Sequence, residues 1–182
     1  MGVEAERSTN SVSIIRSTRI AREGHMNLQI RKATAADASA IAQVHHASFP
    51  RQGDSERWVS STLAAEPRYL VFVAMTLDAS VVGYIFWAQK SGFRAEVVLE
   101  LDQVAVLPEC RGHGVAERLI RESLHSIETA LLCEGRKLKA TLVSTREDNQ
   151  AQLLYAKALG ARPVARIADL YSAAEVILLA RK

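Results

Sequence analysis

Between Leu101 and Ile120 the chain reads LDQVAVLPECRGHGVAERLI, and Arg111, Gly112, His113 and Gly114 stand where a helical pattern begins. A helix start leaves backbone N–H groups unpaired and carries the positive end of the helix dipole. Glycines there let the main chain come close to a ligand and adopt positive φ. Together they make an anion site suited to phosphate, with Arg111 adding charge at the rim. The nucleotide-binding P-loop is excluded because GxxxxGK[ST] is missing, and the dinucleotide pattern because Glu117 stands where its third glycine should be. The bland alternative is a pair of glycines that only turn the chain. Upstream, Glu100 and Asp102 lie two residues apart in an apolar run, which puts them on one face of an ideal strand. A β-bulge in that strand would break the parity. A carboxylate in this place works as a general base near neutral pH only if its pKa is raised. Its plain alternative is a surface carboxylate facing a cation such as Arg94.

These residues need elements to hold them. NLQIRKA, Asn27 to Ala33, reads as a first strand. Thr34 with Asp37 three residues on marks a helix start, and Ile41, Val44 and Ala47 form a stripe up to Pro50. A second helix starts at Asp54 and uses Trp58, Val59 and Leu63. YLVFVAM and VVGYIFWAQ, joined by TLDAS, form a hairpin. A long strand follows from Ala95 to Val106. The helix after the glycines buries Val115, Leu119, Ile120, Leu124, Ile127 and Leu131. KATLVST is a strand, NQAQLLYAKAL a helix closed by Gly160, and RPVARIA and EVILLAR are the last strands. The order β-α-α-β-β-β-α-β-α-β-β implies an α/β or α+β domain with a mixed sheet.

The bulk numbers bound the rest. A chain of 182 residues with 48% hydrophobic and 24% charged residues suits one domain with a real core. A net charge of +3 does not argue for a nucleic-acid surface. The longest apolar run, Tyr69 to Met75, is far too short for a membrane helix. Cys110 and Cys133 match no metal or disulfide framework, so no metal and a reducing, cytoplasmic setting are expected. Arg111 beside Cys110 would lower a thiol's pKa, although ordinary packing is the simpler reading of that cysteine. Residues 1–26 carry Glu4, Glu6 and Glu23, which disfavour a transit peptide, and read as a disordered or poorly packed tail. Strand-like sequence begins directly after Met26, which makes Met26 an alternative start. The domain proper is residues 27–182. The adjacent His45 and His46 read as a surface pair, and Trp58 and Trp87 as core or pocket.

The run VAVLPECRGHGVAERLI resembles the acyl-CoA-binding segment of the GNAT superfamily of N-acetyltransferases. Arg111-x-x-Gly114-x-Ala116 follows a strand end with Val104, Val106 and Pro108 in place. NQAQLLYAKALGARPV resembles the family's second signature, with Asn149 one place closer to Tyr155 and Gly160 one place further from it than the pattern has. The resemblance covers Leu28 to Lys182. It implies a mostly antiparallel, twisted mixed sheet flanked by helices, with a V-shaped splay between the fourth and fifth strands. It implies acetyl-CoA as cosubstrate, its arm on the backbone of Val104, Ala105 and Val106. Its pyrophosphate would lie on the N–H groups from Arg111 through Gly112, His113, Gly114 and Val115 to Ala116, with Asn149 alongside. It makes Glu100 the first candidate for the base and Asp102 the second. Tyr155 is the candidate acid, and a backbone N–H near Val106 donates to the thioester oxygen. The acceptor is expected to be a primary amine, of a small molecule rather than a protein, attacking directly in a ternary complex. A homodimer is compatible with the resemblance. A protein N-terminal or lysine acetyltransferase, an acyl-CoA sensor without catalysis, and a phosphate-binding regulator using only the glycine loop remain open on the residues alone.

Overall fold

The computed structural model describes residues 26–182, so the tail expected over residues 1–26 lies, but for Met26, outside the described residues. Among these residues seven strands form one sheet: β1 (Leu28–Lys32), β2 (Tyr69–Thr76), β3 (Val81–Gln89), β4 (Glu96–Val106), β5 (Lys137–Arg146), β6 (Arg162–Ile167) and β7 (Glu175–Arg181). Among the described residues four α-helices cover it: α1 (Ala38–Ser48), α2 (Ser55–Ala64), α3 (Val115–Cys133) and α4 (Ala151–Leu159). The spatial order is β1-β2-β3-β4-β5-β7-β6. Only β4 and β5 run parallel, since α3 carries the chain back between them, and every other neighbour is antiparallel.

Both faces of the middle strands are covered, which is why β2 and β3 read as continuous apolar runs. On β3, Tyr84 and Phe86 pack with Ile41, Val44 and Val59 under α1 and α2. Ile85 and Trp87 pack on the other face with Leu119, Ile120 and Leu124 of α3. Trp87 is fully buried and its indole N–H donates to Ser123 Oγ at 2.8 Å, so it is core, while Trp58 is exposed.

The helix signals act as expected. The Thr34 backbone N–H donates to Asp37 Oδ2 at 2.7 Å, and Arg31 clamps both Asp37 oxygens at 2.8 and 2.7 Å. Asp54 Oδ1 accepts from the Arg57 backbone N–H at the start of α2, and Gly160 ends α4 at φ 71°.

One expectation is corrected. His45 is fully buried, with its Nδ1 2.9 Å from Ser55 Oγ, while His46 is exposed and Ala47 with it. The buried stripe of α1 is Ile41, Ala42, Val44 and His45. At about 100° per residue, position 45 returns to the face of Ile41 and position 47 does not.

Candidate active site

Pairing between β4 and β5 runs from Glu96 opposite Lys137 to Leu101 opposite Val143 and stops there. Both strands continue, β4 to Val106 and β5 to Arg146, so beyond Leu101 they bound an open gap. A cleft of about 920 Å³ fills it, lined on one wall by Asp102 to Val106 and on the other by Ser144 and Thr145 with Tyr155 of α4.

A bulge sits at the parting point. On β3, Phe86 faces Gln103 and Trp87 faces Leu101, so Asp102 is the extra residue. Leu99 and Leu101 point to the α3 side and Glu100 to the α1–α2 side. Asp102 shares the Glu100 side, where Glu100, Lys90 and Tyr84 interact with it. Gln103 lies there too and accepts from Tyr84 Oη–H at 2.7 Å. The bulge therefore keeps Glu100 and Asp102 on one face and reverses the alternation after them.

The two carboxylates end up in different surroundings. Glu100 lies outside the cleft lining and forms an ion pair with Lys90 Nζ at 2.9 Å, not with Arg94. Asp102 lines the cleft. Asp102 is exposed to water at the gap, and partial desolvation of its carboxylate raises its pKa. The Glu100 charge adds to the rise and Lys90 opposes it.

Just past β4 the Leu107 N–H bonds to Val82 O of β3, so the N–H groups of Val104 and Val106 point to the other edge, into the gap. The Val106 carbonyl accepts from Arg111 Nε at 3.0 Å and from Ser48 Oγ at 3.4 Å. Arg111 thus folds back onto the end of β4 and ties it to α1. A rim contact made by its side chain is not what the geometry favours.

The glycine loop has the conformation an anion site needs. Gly112 and Gly114 have φ of 80° and 76°, and Gly114 caps α3. The first-turn N–H groups of α3 have no intrahelical partner and open on the cleft at Val115, Ala116 and Glu117. Glu117, which would repel an anion, is engaged by Lys157 at 2.7 Å and Arg121 at 3.1 Å. His113 Nδ1 lies 2.9 Å from the Arg111 carbonyl. Cys110 packs half-buried beside the loop, and burial with Glu109 pushes its thiol pKa up. The lowering expected from Arg111 is absent because that guanidinium is turned away.

Across the gap, Tyr155 is buried, and desolvation raises its pKa. Asn149 Nδ2 donates to Thr145 Oγ1 at 2.8 Å and its Oδ1 accepts from the Ala151 N–H at 3.0 Å, so its amide organises the start of α4.

The strand parting, the bulge and the glycine-led helix invite comparison with known proteins. The sequence matches the family model described as an acetyltransferase (GNAT) domain over residues 67–158, half of the chain. The chain belongs to the GNAT acetyltransferase family. No curated protein matches it. Among solved structures, aminoglycoside 6'-acetyltransferase type Ii is 16% identical, with a TM-score of 0.66, 84% of this chain and 96% of that chain covered. The Salmonella typhimurium protein yncA, solved with its cofactor acetyl-CoA, is 19% identical, with a TM-score of 0.62 and coverage of 85% and 93%. The ribosomal-protein-S18-alanine N-acetyltransferase of Escherichia coli is 18% identical, with a TM-score of 0.63 and coverage of 85% and 93%. These likenesses carry the GNAT fold, with its parallel β4–β5 pair.

GNAT acetyltransferases use acetyl-CoA, and the cleft fits it. The strand edge at Val104 and Val106 suits an extended amide-bearing arm, and the Gly114 end of α3 suits a pyrophosphate. Among the described residues no helix is long and apolar enough to cross a membrane.

Several lining residues escaped the sequence. Ser48, Phe49 and Gln52 reach the cleft from the end of α1, and Glu175 from the start of β7. Only Glu175 left a trace, as a carboxylate heading an otherwise apolar strand.

Proposed function

We propose that this GNAT protein transfers the acetyl group of acetyl-CoA to a primary amine of a small molecule, by direct attack in a ternary complex. The observation that carries the reading is the parting of β4 from β5 at Leu101 and Val143, with Asp102 at that point and Tyr155 on the opposite wall. Bound acetyl-CoA supplies an activated thioester carbonyl. The gap-facing backbone of Val104 to Val106 holds its arm as an added strand would. The N–H groups from Gly112 to Ala116 hold the pyrophosphate. Arg111 acts on the end of β4 through the Val106 carbonyl, and Asn149 orders the wall that carries Tyr155.

Asp102 takes the role of base in preference to Glu100, because Asp102 lines the cleft and its carboxylate is raised toward the working pH. It accepts a proton from the acceptor ammonium. The freed nitrogen forms the new C–N bond at the thioester carbon as the C–S bond breaks. The Val106 N–H stabilises the charge that develops on the carbonyl oxygen. Tyr155 gives its proton to the departing sulfur and is reprotonated from water, while the new amide nitrogen loses its extra proton to water. The products are an acetamide and free CoA. Glu100 acts on Asp102 through charge alone.

A small acceptor is supported by the short segment between β6 and β7, which spans residues 168–174. The test begins with isothermal titration. Acetyl-CoA and CoA should bind, ATP should not compete, and Gly114→Asp should abolish binding. Thiol release with a panel of small amines and peptide N-termini then reads turnover. Asp102→Asn should lower kcat by about 10²-fold or more, and Tyr155→Phe by about tenfold or more. Glu100→Gln should keep most turnover but move the acid limb of the pH profile to lower pH, since it removes a charge that raises Asp102. Wild-type rates in both Asp102→Asn and Tyr155→Phe would overturn the assignment, and turnover of peptides alone would overturn the small-molecule acceptor.

A further inference from the structure

Glu175, the first residue of β7, is only 5% exposed and lines the same cleft. A carboxylate this buried is ordinarily paired or hydrogen-bonded. Among the described residues the Glu175 carboxylate makes no hydrogen bond and no ion pair, and its oxygens are not sealed in the core but open on the cleft. Arg146, paired with it on β5, feels its charge but turns its guanidinium to Asp148, at 3.0 and 2.7 Å, and to Ser172 Oγ at 3.5 Å.

The direction of the side chain follows from the strand. Val176, Leu178 and Ala180 pack against the α3–α4 core, so Glu175 alternates to the opposite face. That is the face on which Asp102 stands. The two carboxylates thus flank one cleft from different strands. In the strand order β4 and β7 stand on either side of β5, and β4 has left β5 at this level, so the two residues line the cleft from its two sides. A linear molecule with a cationic group at each end can meet both carboxylates from within the cleft.

We infer that Glu175 binds a second cationic group of the acceptor, so that the substrate class is the diamines and related amines with a further ammonium a few methylene groups away. This rests on the acetyl-transfer reading. Proton removal needs only one carboxylate, and Asp102 serves it. A second cleft-facing carboxylate without a hydrogen-bond partner among the described residues disfavours anionic acceptors and favours a cation that neutralises it.

The test uses the full chain saturated with CoA, titrated calorimetrically with linear diamines of graded length and with monoamines of matching length. At least one diamine should bind about tenfold or more tighter than its monoamine counterpart. Glu175→Gln should erase that preference while leaving monoamine affinity and CoA affinity unchanged. Equal affinities for diamines and monoamines in the wild-type protein would overturn the inference without need of a variant. A diamine preference that survives Glu175→Gln would overturn it as well. Failure of CoA to bind would sink the acetyl-transfer reading separately, and the amine titrations on the free protein would still decide the role of Glu175.

Discussion

At Asp37 a single carboxylate joins a helix start to the first strand. It accepts from the Thr34 backbone N–H and from both terminal nitrogens of Arg31, and these hold its pKa at about 2, with the Arg31 bonds foremost. A depressed carboxylate contributes stability that is fully present above its unfolded pKa near 4 and is lost as pH falls through the folded value. Asp37→Asn should therefore lower unfolding free energy by about 2 kcal/mol at pH 7 in urea titration. The gap between variant and wild type should shrink from pH 4 downward and close only below pH 2. A gap that stays constant over that range would show that the ion pair contributes nothing. The same reasoning separates Glu100 from Asp102. They share spacing and face, but one is neutralised by Lys90 and the other is turned into the gap.

The element that sets up the site is β4, and its position depends on a glycine in its neighbour. A Cβ on Gly83 of β3 would meet Ala105 O at 2.9 Å and Leu119 Cδ1 at 3.1 Å. Backbone and core side chain are both fixed there, so the strand must shift. Gly83→Ala should destabilise the fold by about 1–3 kcal/mol. It should also weaken acetyl-CoA binding, because it displaces the Val104 to Val106 edge. Thermal unfolding and calorimetric titration would read the two effects. Unchanged CoA affinity in a destabilised variant would separate the strand's position from the site. Gly112 and Gly114 have no such neighbours within 4 Å, and their requirement is the positive φ that places N–H groups at the cleft.

For the whole molecule, the cleft is a discontinuity in an otherwise continuous sheet, since β5 is paired by β7 along Ala140 to Arg146 while β4 has left it. A ligand that bridges the gap joins two halves of the sheet. CoA at about 100 times its Kd should stabilise the folded state by about 2.7 kcal/mol, seen as a rise in Tm for a single cooperative transition. No rise in Tm at saturating CoA would contradict binding to the native state alone.

Much of this was written in local sequence. The helical stripe of α3, the Thr34–Asp37 start, the Gly160 stop and the hairpin of β2 and β3 are near-neighbour effects of periodicity, capping and turn chemistry. The glycine loop's positive φ was legible for the same reason, because glycine adopts that backbone geometry without strain. Burial of His45, insertion of β7 between β5 and β6, and the bulge at Asp102 were not, since each depends on which distant surface packs against the residue. The cleft's chemistry divides along the same line. Sequence by itself determined the glycine-led helix start and the two carboxylates upstream of it. Only the tertiary structure decided that Lys90 would neutralise Glu100, that Asp102 would open on the gap, and that Glu175, from the last strand of the chain, would face it. Charge pairing and desolvation act through space, and the chain's order carries no record of them until it folds.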